Sequence, residues 1–382
     1  MTMLHVTRYR IYPSKEIQDK IFHQFRVCTD VRNKCLDMRN FDVRLLPEMK
    51  IECPEYSDVH SVVLQNMIFQ IQSNIKALST LKSKGKRVGK LRHRPVRTLI
   101  YEQTGFKISG QTLKLSKIGE MPIVITRPVP GVIKQIILKF TKTHKYFVSV
   151  ISRSEETAGQ REGQRTVGID MGLIKYSTDS DGRTYNHPHN VRKSARQLGR
   201  AQRKMSRKIK GSHNRKKQRI KVARGSERVN NRRDDFLHKW SNDYINAYDR
   251  VIVEKLNIKK MLADEKATRA MRRNINDAAW YKARTFLKYK AERAGVSYIE
   301  VDPAYTSQSC SQCGNRQIID LKVRTYMCPV CGLSINRDFN AALNIRRIGW
   351  GTPEFKPVET STSTLRGASK QVLVNDAGIP RL

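Results

Sequence analysis

Four thiols and three carboxylates could carry the chemistry of this chain. Cys310 and Cys313 are separated by two residues, as are Cys328 and Cys331, and 14 residues lie between the pairs. Each Cys-x2-Cys turn lets two thiolates chelate one ion, and Gly314 and Gly332 follow where the backbone must turn back. Four thiolates complete the tetrahedral shell of Zn2+ and leave no open position, so such a module is structural and does no hydrolysis. The carboxylates are of a different kind. Asp170 sits in the apolar run TVGIDMG, Glu254 ends the run VIVE, and Asp338 follows the second cysteine pair at the start of a helical pattern, DFNAALNI. A carboxylate in or at the end of an apolar strand is costly unless it is paired or bound to a cation. Three converging acids would hold two Mg2+ ions about 3.5–4 Å apart, able to activate water and to stabilise the leaving oxygen of a phosphodiester. Each acid also has an ordinary reading, as a turn residue, a surface ion pair or a helix cap. Asp302, at the end of VSYIEVDP, competes with Asp338 for the third position, and Asp179 and Asp181 read as turn residues.

Elements must position these groups. RTVGIDMGLIKYSTDSDG reads as two strands closed by a turn at Asp181–Gly182, VIVE as a short buried strand, and VSYIEVDP as another. Phe236, Trp240, Tyr244 and Tyr248 recur every four residues and form a core-facing helical stripe. Residues 278–295 read as a helix stopped by Gly295. The polar stretch 255–276, just after Glu254, is expected to be a mobile lid over the site. Ahead of all this, residues 3–12 read as a strand, 14–40 and 62–78 as amphipathic helices, 83–95 as a basic loop, and 98–152 as short β-runs punctuated by Gly and Pro. The expected organisation is a β-rich barrel-like module (1–13 and 96–152) with an inserted helical part (14–95), a linker (153–164), an α/β domain (165–304 and 336–348) interrupted by a zinc ribbon (305–335), and a disordered tail (349–382).

The chain has 74 Lys and Arg against 34 acids in 382 residues, a formal net charge of +40, which points to a polyanion partner. From Arg192 to Arg233 there are 18 Lys or Arg and one acid, Glu227, read as a long helix with cations on every face that suits a phosphate backbone. No apolar run approaches the roughly 20 residues of a membrane span, and MTMLHVTRYRIYP lacks a signal-peptide core, so an intracellular protein with no membrane partner is expected. Cys28, Cys35 and Cys53 stand apart from the cluster and read as small buried apolar residues.

The order strand Asp, strand Glu, helix Asp matches the pattern of an RNase H-like nuclease. Three stretches carry a closer resemblance: GIDMGLIKYSTDSDG, DDFLHKWSNDYINAYDRVIVEKLNI and DPAYTSQSCSQCGN…YMCPVCGLSINRDFNAALNI. These resemble the TnpB family of transposon-encoded RNA-guided nucleases, relatives of type V CRISPR effectors, over residues 3 to about 348. The resemblance implies an RuvC-type nuclease domain with the ribbon inserted and an N-terminal wedge-like domain with a helical recognition part. It implies catalytic acids at Asp170, Glu254 and Asp338 binding two Mg2+, and structural Zn2+ on Cys310, Cys313, Cys328 and Cys331. It further implies a guide RNA made from the transposon end and cleavage of double-stranded target DNA beside a short flanking motif at a single active site, in a cytoplasmic, nucleoid-associated protein of a prokaryotic cell; the oligomeric state stays open, with a monomer favoured. Gln65 and Asn66 are candidates for motif readout, because amides pair bidentately with adenine. Lys76, Arg192, Arg196, Arg200, Arg203, Lys204 and Arg207 are candidates for backbone contacts. Three other functions stay open: a nuclease-silent RNA-guided repressor, an RNA-independent transposase with an RNase H-like triad, and a structural RNA-binding ribbon protein.

Overall fold

The computed structural model describes residues 3–155, 159–161, 163–320 and 323–351, and the chain divides into two compact units, residues 1–157 and 158–382. Of the expected tail, 352–382 lies outside the described residues.

The first unit opens with β1 (Met3–Ile11), then α1 (Lys15–Met38), α2 (Leu46–Glu52) and α3 (Ser61–Ser83). Ser14 caps α1, accepting from the Ile17 N–H at 3.3 Å. Six strands follow: β2 (Thr98–Glu102), β3 (Phe106–Ser109), β4 (Thr112–Leu115), β5 (Gly119–Val124), β6 (Val132–Phe140) and β7 (Tyr146–Ser154). They form one antiparallel sheet in the order β2-β6-β7-β1-β5-β4-β3. Its two outermost strands, β2 and β3, are consecutive and joined by three residues, Gln103–Gly105. A turn that short between opposite edges requires the sheet to curl into a nearly closed barrel. Apolar faces of α1 and α3, with Ile21, Phe25, Leu64 and Ile68 buried, share a core with Leu99, Ile136 and Val148.

The second unit carries the chemistry. Its strands are β8 (Thr166–Met171), β9 (Lys175–Asp179), β10 (Thr184–Asn186), β11 (Arg250–Glu254) and β12 (Ser297–Val301), in the order β10-β9-β8-β11-β12. The first three form an antiparallel meander, and β11 runs parallel to both β8 and β12. The turn expected at Asp181–Gly182 joins β9 to the short third strand, whereas β8 and β9 are joined at residues 172–174. Between β10 and β11 lie α4 (Asn190–Ser206) and α5 (His213–Ala247), and between β11 and β12 lie α6 (Ile258–Ala263), α7 (Arg269–Ala278) and α8 (Trp280–Ala294). A two-stranded ribbon, β13 (Thr325–Met327) and β14 (Ser334–Asn336), leads directly into α9 (Arg337–Trp350).

Two expectations change here. The basic run is two helices rather than one, because residues 207–212 interrupt it. The helices pack on each other: Gly225 allows α5 to approach Leu198 of α4, and Arg215 caps the end of α4 through the carbonyls of Met205 (2.9 Å) and Lys208 (2.8 Å). Among the described side chains of α4, the cations Arg196, Arg200, Arg203 and Lys204 stay exposed while Leu198 faces α5. The segment expected as a lid is largely helical, and Ile275 and Ala278 of α7 are buried in the core.

Alternation along the strands assigns the faces of this sheet. Val167, Ile169, Met171, Val251 and Val253 pack with Leu237, Trp240 and Tyr244 of α5 and Ala283 and Leu287 of α8. Ile252 and Val301 point the other way and pack with Ile345 of α9.

Candidate active site and four-cysteine centre

Asp170 and Glu254 occupy the face of the sheet that α9 covers. Ile169 pairs with Val253 across the parallel strands, so Asp170 and Glu254 are the next residues on neighbouring strands, at the carboxyl ends where open α/β sheets bind ligands. Asp338 lies in the first turn of α9. What brings it there is Gly168: a Cβ at that position would lie 2.3 Å from the Ala342 carbonyl oxygen and 2.4 Å from the Arg346 nitrogen. The helix backbone rests directly on β8, two residues from Asp170. The Asn336 side chain caps α9, accepting from the N–H groups of Asp338 (2.9 Å) and Phe339 (3.2 Å).

The three acids feel one another. Burial pushes the Asp170 carboxyl well above the usual range, and the charges of Glu254 and Asp338 push it further, against the Arg337 guanidinium and the Met171 N–H. Asp170 nonetheless keeps an edge open to solvent. Glu254, 6% exposed, is also raised by burial and is eased by a hydrogen bond to Oε1 from the Thr306 hydroxyl at 2.5 Å. Asp338 is partly exposed, with the Arg324 guanidinium 4.0 Å away. Asp170 thus faces two like charges on the α9 side of the sheet, although the donor atoms of the three acids do not all fall within 4.8 Å of one another. Asp302 is exposed and turned to the Ala304 N–H at 2.9 Å, so it does not share this cluster. Asp179 is buried, accepting from the N–H groups of Asp181 and Arg183 and from the Tyr244 hydroxyl; Asp181 accepts from Tyr248 and faces Arg346. Both close the β9–β10 turn.

The four cysteines meet as their spacing requires. Cys310 Sγ lies 3.6 Å from Cys331 Sγ, Cys313 Sγ lies 3.5 Å from Cys328 Sγ, and all four sulfurs fall within 4.8 Å of one another. Tetrahedral Zn–S bonds of about 2.3 Å need sulfurs about 3.8 Å apart, so the group fits zinc with little movement. Burial raises the Cys328 thiol, but N–H groups of Cys331 and Val330 outweigh it and bring it down to about 7, favouring the thiolate.

The expected nucleic-acid residues are dispersed. Gln65 and Asn66 are half-buried on α3, where Asn66 donates to Glu102 of β2 at 3.3 Å, and Lys76 is exposed further along the same helix. Arg196, Arg200, Arg203, Lys204 and Arg207 are exposed along α4, while the Arg192 side chain lies outside the described residues. Sequence reasoning missed Gly168, Thr306, Arg337 and two asparagines of α9, Asn340 and Asn344, both buried. A signal for the asparagines was present: two amides one turn apart on an otherwise apolar helix face must find partners.

A further group, His187, His189 and Asp277, offers donor atoms within 4.8 Å of one another. The His189 amide donates to His187 Nδ1 at 3.0 Å, so the neutral ring carries its proton on Nε2, and Arg233 pairs with Asp277 at 3.4 Å. The Arg233 guanidinium already supplies a positive charge beside Asp277, while His187 Nε2 is buried without a hydrogen-bond partner.

The fold and the site define a class: a nearly closed barrel unit, and an α/β unit that presents two acids at parallel strand ends and a third on a helix that follows a four-cysteine ribbon. Family models place the chain within it, "Probable transposase" matching residues 149–264 and "Cas12f1-like, TNB domain" matching residues 280–345. A Streptomyces pristinaespiralis protein named "Putative RNA-guided DNA endonuclease" is 32% identical over 400 residues, covering 98% of each chain. The Escherichia coli K12 protein "Putative RNA-guided DNA endonuclease InsQ" is 32% identical over 247 residues, 62% of this chain and 61% of that one. A Cas12f1 chain solved by cryo-EM with sgRNA and target DNA shares the fold with a TM-score of 0.50 at 12% identity, covering 90% of this chain and 99% of that one. The chain belongs to the TnpB family.

Proposed function

We propose that this protein is an RNA-guided DNA endonuclease whose second unit is an RNase H-like, RuvC-type nuclease with one active site. The observation that supports the reading is that Asp170 and Glu254 end neighbouring parallel strands on the face covered by α9, whose first turn carries Asp338, and that burial and both of these charges raise the Asp170 carboxyl. Asp170, Glu254 and Asp338 would hold two Mg2+ ions; when bound, these supply an activated water and neutralise charge on the leaving oxygen of the phosphodiester. The chain's own groups set the geometry. Adjacent strands fix Asp170 against Glu254, Gly168 and the Asn336 cap fix Asp338, and Arg337 tempers the negative field.

Zn2+ on Cys310, Cys313, Cys328 and Cys331 would be structural, since four thiolates leave no site for water. The partners are a guide RNA derived from the transposon end and a double-stranded DNA target read beside a short flanking motif. Base pairing supplies sequence, while the protein grips backbone through exposed cations such as those of α4. One chain per particle is favoured. Among the described residues no helix is long and apolar enough to cross a membrane.

The test is a cleavage assay on the particle co-expressed with its own locus, given Mg2+ and plasmids carrying a guide-matched target beside randomised bases. Guide-dependent cutting, abolished by Asp170→Ala with RNA binding retained, is the expected result. Guide-dependent binding without cutting would replace this reading with a repressor. Strand transfer in the absence of RNA would replace it with a transposase.

A further inference from the structure

The ribbon and the acids share one hydrogen-bond clamp. Thr306 stands at its centre, 3% exposed, between β12 and the first cysteine pair. Its hydroxyl reaches Glu254 Oε1 at 2.5 Å, with the Pro303 carbonyl a longer alternative at 3.2 Å. Its carbonyl accepts from Asn344 Nδ2 at 2.8 Å. Three residues on, the Ser309 carbonyl accepts from both Asn344 (2.7 Å) and Asn340 (2.8 Å), and Asn340 Oδ1 accepts from the Ser311 N–H at 2.9 Å. Asn340 and Asn344 are one turn apart on α9, the helix whose first turn carries Asp338. Cys310, fully buried, lies between the two clamped residues Ser309 and Ser311. Segment 306–311 is thus pinned to strand-borne Glu254 on one side and to the helix of Asp338 on the other, and it carries Cys310.

Buried amides and a buried hydroxyl have few other partners, so the clamp is all-or-none. Without a metal the cysteine pairs lose what closes them, and small modules of this kind lose their fold. The segment that orients Glu254 then loses one of its anchors, while the sheet and the core around Trp240 keep theirs.

We propose that Thr306 is a positioning residue for Glu254, and that through Thr306, Asn340 and Asn344 the ribbon's metal-bound fold sets the spacing of Glu254 and Asp338. The inference rests on the reading of the three acids as a cation site. It makes the four-cysteine centre a gate on the acidic site as well as a structural module: zinc loss disarms the acids without unfolding the nuclease core.

The test uses the full chain and Mn2+ alone as probe, with free Mn2+ followed by electron paramagnetic resonance. Wild type, Glu254→Gln, Thr306→Val, Thr306→Ser and Asn344→Ala are compared, with zinc content and thermal midpoint measured on each. Thr306→Val keeps the size and loses the donor, and should weaken Mn2+ binding about tenfold or more, the usual effect of losing a group that orients a ligand. It should keep its zinc and its melting midpoint, and Thr306→Ser should restore wild-type binding. Asn344→Ala and zinc-depleted wild type, its tryptophan signal unchanged, should be as weak as Thr306→Val. Wild-type affinity in Thr306→Val, or in zinc-depleted protein, overturns the clamp. Equal weakness in Thr306→Ser and Thr306→Val assigns the effect to packing and also overturns it. If wild type binds no better than Glu254→Gln, it is the reading of the acids that fails, and the gate fails with it.

Discussion

Replacing Gly168 by alanine is the sharpest probe of how the site is assembled. The added methyl would sit 2.3 Å from the Ala342 carbonyl oxygen and 2.4 Å from the Arg346 nitrogen, both backbone atoms of α9. No side chain can swing aside, so the helix must move about 1 Å to restore ordinary packing distances. Such overpacking costs about 1–3 kcal/mol of stability. The catalytic loss should be larger than the stability loss implies, because α9 carries Asp338 away from Asp170 while the sheet holds Glu254 in place. A misplacement of about 1 Å can cost about a hundredfold in rate. The assay is single-turnover cleavage by the guide-loaded particle at saturating Mg2+, beside thermal unfolding. The control is Gly199→Ala on α4, whose Cβ would meet only the tip of Arg203 at 3.7 Å. In a helix that change should be neutral or stabilise by up to about 1 kcal/mol, with no effect on the chemical step. Wild-type cleavage by Gly168→Ala would refute the idea that the seating of α9 on β8 sets the acids.

Further outcomes follow from the same geometry. The folded Asp170 carboxyl titrates above its unfolded value, so metal-free protein should lose stability as pH rises from about 4 through that raised value and then level off. Asp170→Asn removes its part of this slope, leaving that of Glu254, and should melt about 2–4 °C higher than wild type at neutral pH in chelator, the equivalent of about 1 kcal/mol, by differential scanning calorimetry. Purified wild type should carry one zinc per chain by elemental analysis, and Cys328→Ser should lose it, since three remaining thiols hold the ion poorly. Replacing Arg196, Arg200, Arg203 and Arg207 together by alanine should flatten the salt dependence of RNA binding. The slope of log K against log salt should fall by about 0.7–0.9 for each phosphate that the protein no longer neutralises, read by fluorescence anisotropy.

The elements that sequence discloses best are those whose side chains repeat. The stripe Trp240, Tyr244 and Tyr248 is buried as its four-residue spacing requires, and the two Cys-x2-Cys pairs meet with their sulfurs side by side. Alternation in TVGIDMG already separates Val167 and Ile169, which enter the core, from Gly168 and Asp170, which face the other way. What sequence hides is mutual: which element a residue leans on. Gly168 looks like any strand glycine until a helix backbone is found against it. Thr306 has no periodic context at all, and only the fold reveals that its hydroxyl ends on Glu254. The cationic run illustrates the opposite error. Composition cannot register the break at residues 207–212 that folds it into a hairpin, nor that Gly225 of α5 lies against Leu198 of α4.

Glu254 and Asp338 both bring like charge to Asp170, so something must hold them there when no cation does. In this chain that work falls to groups with no charge: Gly168, which lets a helix lie on a strand; the Asn336 cap; and Thr306 with its two asparagines. Arg337 offsets part of the repulsion, but its guanidinium also donates to the Asp320 carbonyl at 2.9 Å, which ties it to the ribbon rather than to the acids. A salt bridge directly onto the acids would stabilise the cluster and would also neutralise the field that attracts a divalent ion. Neutral hydrogen bonds restrain geometry and leave the charge available. The consequence is an opposite response on the two sides of the site. Removing an acid should stabilise the metal-free fold, and overpacking Gly168 or deleting the Asn336 cap should destabilise it, although both impair the same chemistry.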